Sequence, residues 1–162
     1  MKYSHLRFAL FGNSYQTKKN QYVMAILSKL KELGVKVCIE EKFATFIQEE
    51  LKLRLEDVDI FNYHTQHCNA DIAISIGGDG TFLGTASIVG CSGIPILGIN
   101  TGRLGFLADV SPDNIGPSLE ALCQGDYIIE KRKALAVMKN GELSSFYPYA
   151  LNEVAILKHD NS

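Results

Sequence analysis

The sequence predicts an α/β fold in which a parallel sheet carries helices on both faces, followed by the start of an antiparallel β domain. Three observations lead there. Short apolar runs of strand length alternate with longer segments whose apolar residues recur at helical spacing. One such run, Ile72-Ala73-Ile74-Ser75-Ile76, passes straight into Gly77-Gly78-Asp79-Gly80-Thr81. From about Tyr127 the helical spacing stops, and strand-like segments joined by a hairpin signal replace it.

In order, Leu6-Arg7-Phe8-Ala9-Leu10-Phe11 reads as a first strand ending at Gly12-Asn13-Ser14. Across residues 18–33, Val23, Ile26, Leu27, Leu30 and Leu33 define a helix, with Gly34 as its stop. Val35-Lys36-Val37-Cys38-Ile39 is a second strand, and Phe43, Phe46, Ile47 and Leu51 predict a helix reaching about Leu55. Residues 56–70 read as polar and irregular. The strand before Gly77 and a helix from about Thr81 come next, then a buried strand, Ile94-Pro95-Ile96-Leu97-Gly98-Ile99-Asn100. Ser111-Pro112 has the form of an N-cap and first position for a helix carrying Ile115, Leu119 and Leu122 and stopping at Gly125. The result is a Rossmann-like α/β domain over residues 1–125. Residues 126–162 begin a β domain, with strands over 127–132 and 134–139, an Asn140-Gly141 type I′ turn, a return strand over 142–146 and another over 150–157. That unit lacks a covering layer, so the sequence is expected to be a truncated portion of a larger protein.

With 46% hydrophobic and 21% charged residues, the chain has enough apolar material for a real core. A net charge of −2 gives no basic surface for nucleic acid. No apolar run approaches bilayer-spanning length, and Met1-Lys2-Tyr3-Ser4-His5-Leu6-Arg7 does not lead into a signal-peptide core. A cytoplasmic location is expected, with neither nucleic acid nor membrane as partner. Cys38, Cys68, Cys91 and Cys123 form no C-x-x-C pair and are expected as free, mostly buried thiols.

The loop at Gly77 carries the chemistry. Glycines allow a ligand to approach main-chain N–H groups, and a helix beginning just after them presents its positive dipole end to the same spot. That combination favours phosphate. Asp79 does not belong in a pure phosphate cradle, because its charge repels the ligand. It fits a hydroxyl that is to receive a phosphoryl group, or a site that helps hold a metal. The loop is no P-loop, since no Gly-Lys-Ser/Thr follows, and it fails G-x-G-x-x-G because Leu83 stands at the third place.

At these residues the sequence resembles a known family. Gly77-Gly78-Asp79-Gly80-Thr81 is similar to the GGDGT signature shared by NAD kinases and by diacylglycerol and sphingosine kinases, with a GGDGS variant in phosphofructokinases. The stretch Gly98-Ile99-Asn100-Thr101-Gly102-Arg103-Leu104-Gly105-Phe106-Leu107 resembles a glycine-rich NAD kinase segment, and Leu151-Asn152-Glu153-Val154 resembles that family's LNE segment. Three motifs in this order single out NAD kinases. The resemblance implies a two-domain enzyme that uses ATP, with Mg²⁺, to phosphorylate the 2′-hydroxyl of the adenosine ribose of NAD, giving NADP. It implies Asp79 as general base and NAD contact and Gly80 beside it. Gly77, Gly78 and Thr81 would support the phosphates, Asn100 would end a strand at the site, and Asn152 and Glu153 would contact NAD from the second domain. It also implies a homo-oligomer in the complete protein, in which this portion alone is inactive.

Two rival readings stand beside it. A lipid kinase of the same superfamily predicts an apolar acceptor groove, and a non-catalytic nucleotide-binding module predicts that Asp79 is dispensable. Asn152 and Glu153 can also be read as a bulge in an apolar strand, and Arg103 as a solvated loop cation. His64, His67 and Cys68, near Asp57 and Asp59, have zinc-ligand chemistry but no second ligand cluster, so no metal site is expected there. Gly84 and Thr85 stand where many NAD kinases carry a basic residue.

Overall fold

The computed structural model describes residues 2–13, 20–63, 69–90, 92–102, 105–144 and 149–155. The middle of the sheet is β1 (Arg7–Gly12). Its residues are apolar on both faces, and Phe8, Ala9, Leu10 and Phe11 are all buried. A strand covered on both faces reads as a continuous apolar run, as this one does. The other strands are β2 (Lys36–Glu40), β3 (Val58–Phe61), β4 (Ile72–Gly77) and β5 (Ile96–Asn100), in the order β3-β2-β1-β4-β5, with every pairing parallel. Leu10 lies opposite Ile39 on one side and Ile74 on the other.

The faces differ. Phe8, Leu10, Ile39, Ile74 and Ile99 belong to the large core, which also takes in buried residues of α1 (Asn20–Leu33), α2 (Glu41–Glu49) and α4 (Ile115–Gln124). On the opposite face Ala9, Phe11, Cys38, Phe61 and Ala73 form a smaller cluster with Val89 of α3 (Asp79–Val89). The alternation of Phe8/Leu10 with Ala9/Phe11 is the period-2 geometry of a strand. Helices therefore cover both faces, as the sequence predicts.

Most elements fall where the spacing predicts them. Gly34 stops α1 by donating to the carbonyls of Leu30 and Lys31. Ser111 caps a 3₁₀ turn, Pro112–Asn114, that leads into α4, and Gly125, at φ 77°, ends it. Three expectations need correction. The second helix ends at Glu49 rather than near Leu55. The N–H groups of Leu51 and Leu53 turn back to Phe46 and Ile47 and bury Leu51. The stretch expected to be irregular contains β3, an edge strand. Residues 127–132 form no strand and are exposed, Ile128 almost completely (98%).

The β unit that follows is sparse. It contains β6 (Leu135–Ala136), β7 (Met138–Lys139), β8 (Glu142–Leu143) and β9 (Tyr149–Ala150), with β6 paired to β9 and β7 to β8, both antiparallel. Asn140 and Gly141 both take positive φ, 54° and 87°, as a type I′ turn requires. The strand expected over 150–157 is reduced to β9, with residues 156 and 157 outside the described residues. Residues 145–148 of the expected return strand, and His64, His67, Cys68, Cys91 and Arg103, also lie outside them. Cys38 and Cys123 are buried free thiols.

Candidate functional site

The chain runs outward from β1 to β2 and β3 on one side, then returns to build β4 and β5 on the other. The order reverses between β1 and β4, and open α/β sheets bind ligands beyond the carboxyl ends of the strands at such a point. Three turns meet there: Gly12-Asn13 after β1, Gly77-Gly78 after β4, and Asn100-Thr101-Gly102 at the end of β5. The Thr101 N–H donates to the Gly77 carbonyl at 3.2 Å and joins the last two.

The turn after β4 is built by close approach. A Cβ on Gly77 would overlap the Thr81 side chain, which folds back over the turn. Gly78 precedes α3 in extended conformation (φ −102°, ψ −167°), and its carbonyl accepts the N–H groups of Thr81 and Phe82 at 3.0 and 3.1 Å. Asp79 and Gly80 thus lead the helix, at its positive end. Neither Gly78 nor Gly80 has a neighbour within 4 Å of where a Cβ would stand. The fold does not require glycine at either position, and the open space leaves the main chain accessible to a ligand.

Asp79 reaches across to the segment after β5. Its Oδ2 accepts the N–H of Phe106 at 2.8 Å, and its Oδ1 accepts those of Leu107 at 2.9 Å and Ala108 at 3.2 Å. The Phe106 and Leu107 N–H groups, with help from Ala108, hold its carboxyl below the usual aspartate range, against a smaller opposing effect of burial. Asp79 is therefore ionised at neutral pH. A Cβ on Gly105 would strike this carboxylate. The far end of the segment is fixed to β5. Ala108 lies where a Gly98 side chain would go, and Val110 exchanges hydrogen bonds with Gly98 and Asn100.

Asn100 is buried, and its Oδ1 accepts the Gly102 N–H at 2.8 Å, so its side chain shapes the turn. The Thr101 hydroxyl is buried in the same turn, with no hydrogen-bond partner among the described residues. Gly77, Gly78, Asp79, Gly80, Thr81 and Asn100 are thus brought together at one edge. Asn152 and Glu153 are not joined to them here. Both are exposed, just after β9. That strand meets the end of α3 at Ser87 and its C-cap Gly90, about 12–16 Å along the helix from Asp79 at 1.5 Å per residue. The roles of Gly105 and Thr101 were not evident from the sequence. The signal available was the second glycine-rich stretch, but nothing in it shows that Asp79 is the group it packs against. A cleft of about 630 Å³, lined by Phe82, Ala86, Val89 and Ile128 among others, includes none of residues 77–81 but adjoins the site through Gly98, Phe106 and Leu107.

Residues 8–127 match the family model described as the ATP-NAD kinase N-terminal domain. An NAD kinase of Bacteroides fragilis is 46% identical over 157 residues, covering 97% of this chain and 53% of the relative. One from Porphyromonas gingivalis is 40% identical, covering 95% and 52%. One from Methanothermobacter thermautotrophicus is 43% identical, covering 82% and 42%. The chain spans about half the length of the curated relatives it matches. Among solved structures, yeast NADH kinase complexed with NADH superposes with a TM-score of 0.63 at 18% identity, over 81% of this chain and 40% of that one, a likeness of fold.

Proposed function

The chain belongs to the ATP-NAD kinase family, and from that premise we propose that it supplies the nucleotide-kinase domain of an enzyme that phosphorylates NAD from ATP. The acceptor is the 2′-hydroxyl of the adenosine ribose and the product is NADP. The observation that carries the reading is an ionised carboxylate, Asp79, at the head of α3 and at the switch point of the sheet, beside main chain left open at Gly78 and Gly80. A cradle for phosphate alone has no use for that charge.

In the proposed reaction the O2′–Pγ bond forms as the bond from Pγ to the departing ADP breaks, and the hydroxyl proton passes late to the Asp79 carboxylate. Asp79 accepts the hydroxyl's hydrogen bond and orients its lone pair. With a depressed pKa it is a weak base, so its main contribution is orientation. Gly78 and Gly80 present main chain to phosphate oxygens, Gly77 and Thr81 pack together to shape the turn, and Asn100 holds the adjoining one. Mg²⁺ enters with ATP as substrate. The donor's phosphates and water would coordinate it, as is usual for Mg²⁺.

The finer parts of the proposal are a domain boundary near residue 125, contact of Asn152 and Glu153 with NAD, a cytoplasmic enzyme and a homo-oligomer. The boundary is supported by burial: every residue from 124 to 136 is exposed. Assembly is supported by exposed apolar residues such as Ile128 and Met138. No helix among the described residues is long and apolar enough to cross a membrane. The test is turnover of NAD with ATP–Mg²⁺ by the complete enzyme. Asp79→Asn is expected to lower kcat by about 10²- to 10⁴-fold. Phosphorylation of a lipid alcohol with NAD untouched would contradict the acceptor.

A further inference from the structure

The Asp79 carboxylate has about four lone-pair positions. Among the described residues, Leu107 and Ala108 occupy Oδ1 and Phe106 takes one position on Oδ2, which leaves one on Oδ2. We propose that Asp79 and Gly105 act as one device: the carboxylate holds residues 106–108 by their N–H groups and offers the remaining Oδ2 position to the acceptor hydroxyl, with Gly105 as the positioning residue that lets it do both. This rests on the proposed kinase reading and goes beyond it, because it couples hydroxyl orientation to the placement of a second loop.

Three features support it. Gly105 has no left-handed backbone that would demand glycine, and what a Cβ there would meet is the Asp79 carboxylate itself. The segment is anchored just beyond it, because Ala108 packs against Gly98 and Val110 is bonded to β5. The displacement caused by a methyl group at 105 therefore falls on Asp79. Finally, Phe106 is 96% exposed while its own N–H and those of the next two residues are held by Asp79. The position of that ring is thus tied to the carboxylate.

The experiment uses the complete enzyme carrying Gly105→Ala. Expected is a fall of about 10- to 100-fold in kcat/KM for NAD, the size associated with misplacing a reacting group by about 1 Å. The KM for ATP is expected to stay within about twofold, as for loss of a single acceptor-side contact. Amide exchange at 106–108 is expected to quicken. The acid limb of the pH profile is expected to move upward, because the N–H bonds that lower the Asp79 pKa are weakened. A merely structural role would lower the melting temperature and leave that limb in place. Wild-type kcat/KM together with unchanged exchange in Gly105→Ala would overturn the proposal. If Gly105→Ala fails to fold, Asp79→Asn provides the second reading: its amide has one acceptor oxygen where the carboxylate has two, so in either orientation at least one N–H of 106–108 loses its acceptor and exchange there must quicken, and unchanged exchange across all of 106–108 overturns the clamp. If wild-type enzyme forms no NADP, the kinase reading fails, while the exchange data still decide whether the clamp exists.

Discussion

Asp79 sits where two requirements meet, one from the loop after β5 and one from a ligand. Its pKa is lowered in the folded chain, first by the Phe106 and Leu107 N–H bonds. A carboxylate with a depressed folded pKa contributes its stabilisation above the unfolded pKa and loses it only as pH falls through the lower, folded value. Protection of the 106–108 amides, corrected for intrinsic exchange, is therefore expected to be constant between about pH 5 and 8 and to fall only under stronger acid. The glycines separate into two kinds. Gly77→Ala drives a methyl group into Thr81 and is expected to destabilise by about 1–3 kcal/mol, as overpacking does. Gly80→Ala meets nothing and lies in α3, so a thermal melt is expected to show equal or slightly higher stability, by up to about 1 kcal/mol. Titration of the same variant is expected to show weaker nucleotide binding, because the methyl group fills the ligand's approach. Destabilisation of Gly80→Ala with intact binding would reverse that assignment.

At the scale of elements, the sheet's carboxyl edge depends on local caps as well as on apolar burial. Glu40, buried at the end of β2, accepts the Phe43 N–H at 2.9 Å and starts α2, whose Phe43 ring lies where a Gly12 side chain would be. Glu40→Ala is expected to cost about 1 kcal/mol in a chemical melt, and Glu40→Gln, which keeps an acceptor, a few tenths. Equal effects of the two would mean that the cap is not what matters. The central strands and the helix from Gly77 onward were legible in the sequence because apolar period, length and glycine punctuation all agreed there. β3 was not legible: it has four residues at the sheet's edge, with Asp59 and Ile60 exposed, so burial imposes little pattern on it. The end of α2 was misjudged because Leu51 and Leu55 continue the four-residue spacing of Phe43 and Ile47, while Leu51, Leu53 and Leu55 all pack on the core. They reach the core through a turn with Lys52 at φ 56°, which no periodicity reveals. The presence of Asp79 at the site was legible; its grip on 106–108 was not, since a contact over 27–29 residues is decided by the packing of two loops.

For the molecule as a whole, burial is lopsided. Three helices and one sheet face make the main core, whereas the residues after Gln124 contribute exposed apolar side chains, including Ile128, Leu135, Met138 and Leu143. Limited proteolysis is expected to cut first within 126–134 and to leave the α/β domain folded, because exposed, irregular backbone is cleaved most readily. First cuts inside 36–100 would contradict the proposed boundary. The central claim, that Asp79 orients a sugar hydroxyl for phosphoryl transfer, is tested most directly by following ATP–Mg²⁺ and NAD by phosphorus NMR with complete wild-type enzyme and Asp79→Asn. The account predicts a 2′-phosphomonoester on NAD formed mole for mole with ADP by wild type, and its near loss in Asp79→Asn with NAD still bound. NADP formed by Asp79→Asn at the wild-type rate would contradict it.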